Sequence, residues 1–179
     1  MKKSMLLTAV LLVGVLASAQ VKISREYIYP DLEVKFKRCV VTGTTGYIDL
    51  TFINHSNKEM NGVCLHNGYP VDGRSTSWTQ AFDDEGNVYH WSKNSNNGTN
   101  GKIYSITFGG KTCSSGVYQP CIEMSMPSEV PIACRIEICD ISEYATEFTH
   151  LKLVFLKASS QHAGAGTFTL RNIPITRRE

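Results

Sequence analysis

After Leu16 the sequence lacks any long apolar run. Met5 to Leu16 is almost wholly apolar, broken only by Thr8 and Gly14. A spanning helix needs about 20 such residues, so no stable membrane span is expected. Linear marks of common chemistry are also missing. There is no Gly-x-Ser-x-Gly elbow, no Ser-x-x-Lys, no glycine-rich phosphate loop, no Cys-x-x-Cys and no His-x-x-x-His. These absences argue against nucleotide binding, a short-spaced zinc site and the familiar nucleophile elbows. No cofactor, no metal ligand and no catalytic residue is assigned. The five histidines, His55, His66, His90, His150 and His162, are dispersed. No heptad, internal repeat or linker divides the chain.

A surplus of one charge sign is missing too. Lys2-Lys3, the apolar run and Ala17-Ser18-Ala19 before Gln20 have the order of a cleavable secretory signal peptide, residues 1–19. Of the 18 basic side chains, Lys2 and Lys3 would leave with it. The remaining 16 balance the 16 acidic ones. Nucleic-acid binding by counterion release needs clustered positive charge, and only Lys35-Phe36-Lys37-Arg38 and Arg177-Arg178 come near it. No nucleic-acid partner is expected. Position 20 is Gln, not the Cys that lipid anchoring requires, so the expected location is periplasmic or secreted. Residues 20–179 fall within the size of a single domain.

What is present is a period of two. Leu32, Val34 and Phe36 alternate with Glu33, Lys35 and Lys37, and Ile48, Leu50 and Phe52 with Asp49 and Thr51. Ile132, Cys134, Ile136 and Ile138 alternate with Arg135 and Glu137. The same holds for Leu151, Leu153 and Phe155, and for Phe168 and Leu170. Such alternation marks strands buried on one face, as in antiparallel sheets. Thr42-Gly43-Thr44-Thr45-Gly46 and Asp83-Asp84-Glu85-Gly86-Asn87 read as hairpin connections. The polar stretch 95–101 reads as a loop, and only Asp140 to Phe148 has room for a helical turn or two. The expectation is an all-β, two-sheet antiparallel sandwich of nine or ten short strands.

Three segments carry a resemblance. They are the strand running into Asn54-His55-Ser56, the hairpin Ala81-Phe82-Asp83-Asp84-Glu85-Gly86-Asn87-Val88-Tyr89, and the end Thr167-Phe168-Thr169-Leu170-Arg171-Asn172-Ile173-Pro174-Ile175. The series resembles the small exported immunoglobulin-like domains of unknown function found in bacteria. The resemblance implies an immunoglobulin-like sandwich and carries no catalytic set with it.

The six cysteines, in an oxidising compartment, point to disulfides. Cys113 and Cys121 flank a short loop and form the preferred local pair. Cys39 and Cys64 remain as possible partners of each other. Cys134 and Cys139, five apart in one strand, lie on opposite faces and do not pair. Cys64-Leu65-His66 would place a thiol and an imidazole on one strand face, but no further ligands stand at zinc spacing, so a disulfide is the better fate for Cys64. Asp83 to Asn87 lacks the spacing of a calcium loop and is better explained as a turn. Asn54-His55-Ser56 and Asn97-Gly98-Thr99 match glycosylation sequons.

The most suggestive group is aromatic. Trp78, Phe82, Tyr89, Trp91 and Tyr104 cluster around one hairpin and the strand after it. Packing in the core is favoured, because large rings dominate cores. An exposed platform of Trp78, Tyr89, Trp91 and Tyr104 would instead suit sugar rings or a protein. The leading expectation is a non-enzymatic binding or accessory domain at the bacterial cell envelope, its partner an envelope or extracellular protein or glycan. The alternatives are a hydrolase with a site assembled from loops, or a protease inhibitor presenting the 113–121 loop.

Overall fold

The computed structural model describes residues 20–27, 29–70, 76–91, 101–115, 121–157 and 165–179. The candidate signal peptide, the 92–100 segment with its second sequon, and the tip of the 113–121 loop lie outside these. The regular structure among the described residues is all strand. In chain order the strands are β1 (Lys22–Glu26), β2 (Leu32–Thr42), β3 (Thr45–Asn54), β4 (Met60–His66) and β5 (Gly68–Pro70). Next come β6 (Thr76–Trp78), β7 (Gln80–Asp83), β8 (Val88–His90), β9 (Gly101–Phe108) and β10 (Lys111–Ser114). The last are β11 (Cys121–Met126), β12 (Ile132–Cys139), β13 (Glu147–Lys157), β14 (Ala165–Pro174) and β15 (Thr176–Arg178). The stretch between β12 and β13, expected to have room for helix, holds only a turn.

Strands outnumber the nine or ten expected, because several have only three or four residues, too few to show alternation. Thirteen join one sheet whose main path runs β1-β14-β13-β7-β8-β9-β12-β3-β2-β15. β5 and β6 form a separate pair. The sheet is mixed rather than wholly antiparallel, since β8 runs parallel to β9 and β15 parallel to β2. β2 and β3 are joined by a two-residue turn in which Gly43 sits at φ 58°, a conformation glycine adopts without a Cβ clash.

Along one edge of β13 the partner changes. Phe148 to Lys152 face β7, and Val154 to Lys157 face β4. β9 does the same, with β8 at Gly101 and Lys102 and β10 from Ser105 to Phe108. The β7–β8 hairpin thus carries the ladder from one wing of the sheet to the other. The sheet curls, and four rings close it. Phe52 of β3 meets Phe108 of β9 at 5.1 Å, Phe155 of β13 at 5.4 Å and Phe168 of β14 at 6.0 Å, with edge-on or tilted planes. Phe155 and Phe168 meet each other at 5.6 Å. β13 and β3 are far apart along the hydrogen-bonded path, so these contacts place one wing over the other.

Alternation predicts the inward residues of β3 and β12: Ile48, Leu50, Phe52, Cys134, Ile136 and Ile138 are all buried. Cys139 falls on the other face, half-buried, as its spacing from Cys134 requires. β2 departs from the simple pattern. Leu32 and Val34 point in, a register shift intervenes between Phe36 and Arg38, and Cys39 and Val41 point in beyond it. One extra residue reverses which parity faces the core. β14 departs too, since Thr167 and Thr169 are buried along with Phe168 and Leu170.

Candidate ligand-binding face

With Ile48, Leu50, Cys134 and Ile136 turned inward, the alternate positions of β3 and β12 come out together. Tyr47 stands opposite Glu137 and Asp49 opposite Arg135. From the other side, the shifted register of β2 brings Arg38 opposite Asp49. Without the shift, Lys37 would take that place. Arg38 donates from Nε to Asp49 Oδ2 at 2.7 Å. Arg135 donates from Nε to Oδ1 at 2.7 Å and from Nη2 to Oδ2 at 3.1 Å. The Arg135 hydrogen bonds hold the Asp49 carboxyl below its ordinary range; partial burial opposes this, and the Arg38 bond adds to it. Arg135 is correspondingly held more basic by Asp49.

The cluster extends outward. The Arg135 guanidinium lies 5.5 Å from the centre of the Tyr47 ring, within cation–π range. Ser105 Oγ donates to Glu137 Oε2 at 2.8 Å, and the Tyr47 hydroxyl donates to Oε1 at 3.5 Å. Two open depressions lie over this face. The larger, about 650 Å³, is bordered by Lys37, Arg38, Asp49, Thr51, Thr107 and Arg135. The smaller, about 230 Å³, adds Val40, Thr42, Tyr47 and Arg178. Four cations and one carboxylate line the two depressions.

Asp49 engages a single N–H of Arg38, and a guanidinium carries five. The remaining donors suit an anion that presents two oxygens to the guanidinium fork, a carboxylate or sulfate, better than lysines would. Beside them Tyr47 is 37% exposed; on β9, Tyr104 is 46% exposed and Lys102 lies 5.8 Å over its ring. Tyr104 is the extra residue where the β9–β12 register shifts, since Ser105 pairs with Glu137 and Ile103 with Ile138.

The aromatic group, for which the sequence favours core packing over an exposed platform, divides. Tyr89 and Trp91 do share a face, and both are fully buried. The Tyr89 hydroxyl donates to Asp83 Oδ2 at 2.7 Å and its ring packs edge-on to Phe148. These two rings belong to the core and are lost to any surface patch. Trp78 is 42% exposed and lies against Gly68, where an added Cβ would come within 2.3 Å of the ring. Of the four aromatic candidates, Trp78 and Tyr104 are the two left exposed. Sequence reading passed over Arg38, Asp49 and Arg135, because each is an ordinary outward charge until the register sets it opposite the others.

The acidic hairpin is a turn. Asp83 accepts from the Glu85 and Asn87 amides at 3.1 and 2.8 Å and from Asn87 Nδ2 at 2.9 Å. Asp84 accepts from the Thr146 amide and hydroxyl. Among the described residues no group of three or more His, Cys, Asp or Glu side chains is placed to hold a metal ion.

The six thiols are all unbonded. Cys39 is buried against the core, and burial pushes its thiol up to about 12. Cys64 does not join His66: its thiol donates to the Leu65 carbonyl at 3.9 Å, while His66 Nδ1 lies 2.8 Å from the Gly68 carbonyl oxygen. A further cluster escaped the sequence. His55 bridges two carboxylates, Nε2 to Glu33 at 2.7 Å and Nδ1 to Glu129 at 3.1 Å.

No protein-family model matches the chain, and no curated protein matches it either.

Proposed function

We propose that the protein is an exported, non-enzymatic binding domain of the bacterial cell envelope, folded as an immunoglobulin-like sandwich, whose outer β2–β3–β12–β9 face takes an acidic glycan. The observation that carries this reading is the arrangement of Arg38 and Arg135 around one shared Asp49. Asp49 orients both guanidinium groups and neutralises only one of the two charges. Tyr47 supplies an exposed ring beside them, and Tyr104 of β9 is exposed as well. Guanidinium forks match carboxylates and sulfates, and exposed rings match the apolar faces of sugars. The sandwich reading draws support from the facing wings joined through Phe52 and Phe155. Export draws its support from the order of features in residues 1–19.

Titration calorimetry of the purified protein against carboxylated, sulfated and neutral polysaccharides tests it. The expected result is binding to the acidic classes that weakens with salt, as exposed charge contacts do. Equal affinity for neutral polysaccharides, or no binding to any of them, would remove the reading.

A further inference from the structure

Three cysteines distant in sequence meet where β4, β10 and β11 run together. In the β4–β11 ladder Cys121 lies opposite His66 and Cys64 opposite Glu123. That sets the two cysteines on a diagonal of the ladder, within reach of larger side chains. The two thiols are near enough for Cys121 to influence the titration of Cys64. β10 packs beside β11, and Cys113 is likewise near enough to feel Cys121. Cys121 therefore neighbours both, Cys64 across the β4–β11 ladder and Cys113 on the adjoining β10.

Their accessibility is graded. Cys121 is exposed, Cys113 half-buried and Cys64 buried. Burial, with the neighbouring Cys121 adding to it, pushes the Cys64 thiol up to about 12, and burial raises that of Cys113 as well. An incoming reagent meets Cys121 first, and the protonated inner thiols wait behind it.

We propose that Cys121 is a thiol–disulfide exchange site that accepts a disulfide substrate and resolves onto either of two internal partners, Cys64 or Cys113. In the first step the Cys121 thiolate attacks one sulfur of R–S–S–R. The S–S bond breaks, a Cys121–S–R mixed disulfide forms, and one RS⁻ leaves to take up a proton. In the second, Cys64 or Cys113 gives its proton to solvent and its sulfur attacks Cys121 Sγ. An internal disulfide forms and the second RS⁻ leaves and is protonated. Two protein thiols are oxidised and one disulfide is reduced to two thiols. A Cys64–Cys121 bond joins β4 to β11, whereas a Cys113–Cys121 bond joins β10 to β11. Both use one sulfur, so they exclude each other. The cysteine left over can attack Cys121 and move the bond without net oxidation.

Reduced protein treated with glutathione disulfide, quenched in acid, alkylated and mapped by peptide mass spectrometry tests the proposal. Wild type is expected to release two glutathiones and to give two disulfide isomers, both containing Cys121. Cys113→Ser should give Cys64–Cys121 alone, and Cys64→Ser should give Cys113–Cys121 alone. Cys121→Ser should consume glutathione disulfide at least tenfold more slowly and form no bond between Cys64 and Cys113. That last change is at an exposed position, so it carries the test if the buried Cys64→Ser change disturbs folding. A Cys39–Cys64 or Cys64–Cys113 bond would overturn the proposal, as would a Cys121–glutathione adduct that persists in wild type, or an unchanged rate in Cys121→Ser.

Discussion

Arg135 grips Asp49 with two hydrogen bonds across the β3–β12 ladder, Nε to Oδ1 at 2.7 Å and Nη2 to Oδ2 at 3.1 Å. The side chain of Asp49 is only 17% exposed, and Arg38 closes it from the β2 side. Replacing the carboxylate would leave two guanidinium groups near each other with no counter-charge between them. Asp49→Asn is expected to cost about 1–2 kcal/mol at neutral pH, in the range for hydrogen bonds to charged groups reduced for solvent screening. The folded carboxyl is held below its ordinary pKa. Its contribution is therefore full above the unfolded value of about 4 and is lost as pH falls through the folded value. Denaturant titrations should show the gap between wild type and Asp49→Asn at pH 7 and show it shrinking below pH 4. A gap that stays constant with pH would contradict the pairing.

His55 gives the opposite sign. The hydrogen bond to Glu33, and after it the one to Glu129, raises its pKa above the usual 6.5. While the carboxylates stay ionised, the ion pairs should be fully formed below pH 6.5 and lost as pH rises through the raised folded value. An NMR titration of His55 should show a midpoint above that of a free imidazole, and Glu33→Gln should lower it. A midpoint indifferent to Glu33→Gln would count against the contact.

The ring cluster should carry much of the stability. Phe52 touches Phe108, Phe155 and Phe168 at once, so Phe52→Ala leaves a cavity bordered by both wings. A loss of about 3–5 kcal/mol is expected, as for large aromatic truncations in cores. It should be read as a lowered urea midpoint at unchanged slope. A loss below 1 kcal/mol would mean that the wings do not close on these rings.

The two tryptophans should report different surroundings. Trp91 is fully buried and Trp78 is 42% exposed. Trp78→Phe is expected to remove most of the emission that acrylamide quenches and leave a blue-shifted remainder. Equal quenching of both rings would contradict their placement.

Much of this fold can be read from alternation, and β3 and β12 fold as their hydrophobic spacing predicts. The register shift at Lys37 cannot be read that way, because Lys35-Phe36-Lys37-Arg38 fits either parity. That shift brings Arg38 to Asp49 and creates the cation cluster. The parallel ladders of β8 with β9 and β15 with β2 pair only two or three residues each, too few for any pattern. That Tyr89 and Trp91 share a face is legible. Which way the face points depends on the curl of the sheet, and that is set by rings far away in sequence. The neighbourhood of Cys113 and Cys121 follows from a short loop, whereas the approach of Cys64 follows only from the β4–β11 register.

The central claim, that the Asp49 face binds an acidic glycan, is tested most directly by mapping amide chemical shifts while a carboxylated oligosaccharide is titrated into isotope-labelled protein. The account predicts shifts concentrated at Arg38, Tyr47, Asp49, Arg135 and Arg178, abolished in an Arg38→Ala/Arg135→Ala double variant that still folds. Shifts centred elsewhere, around Trp78 for example, or undiminished in that variant, would contradict it.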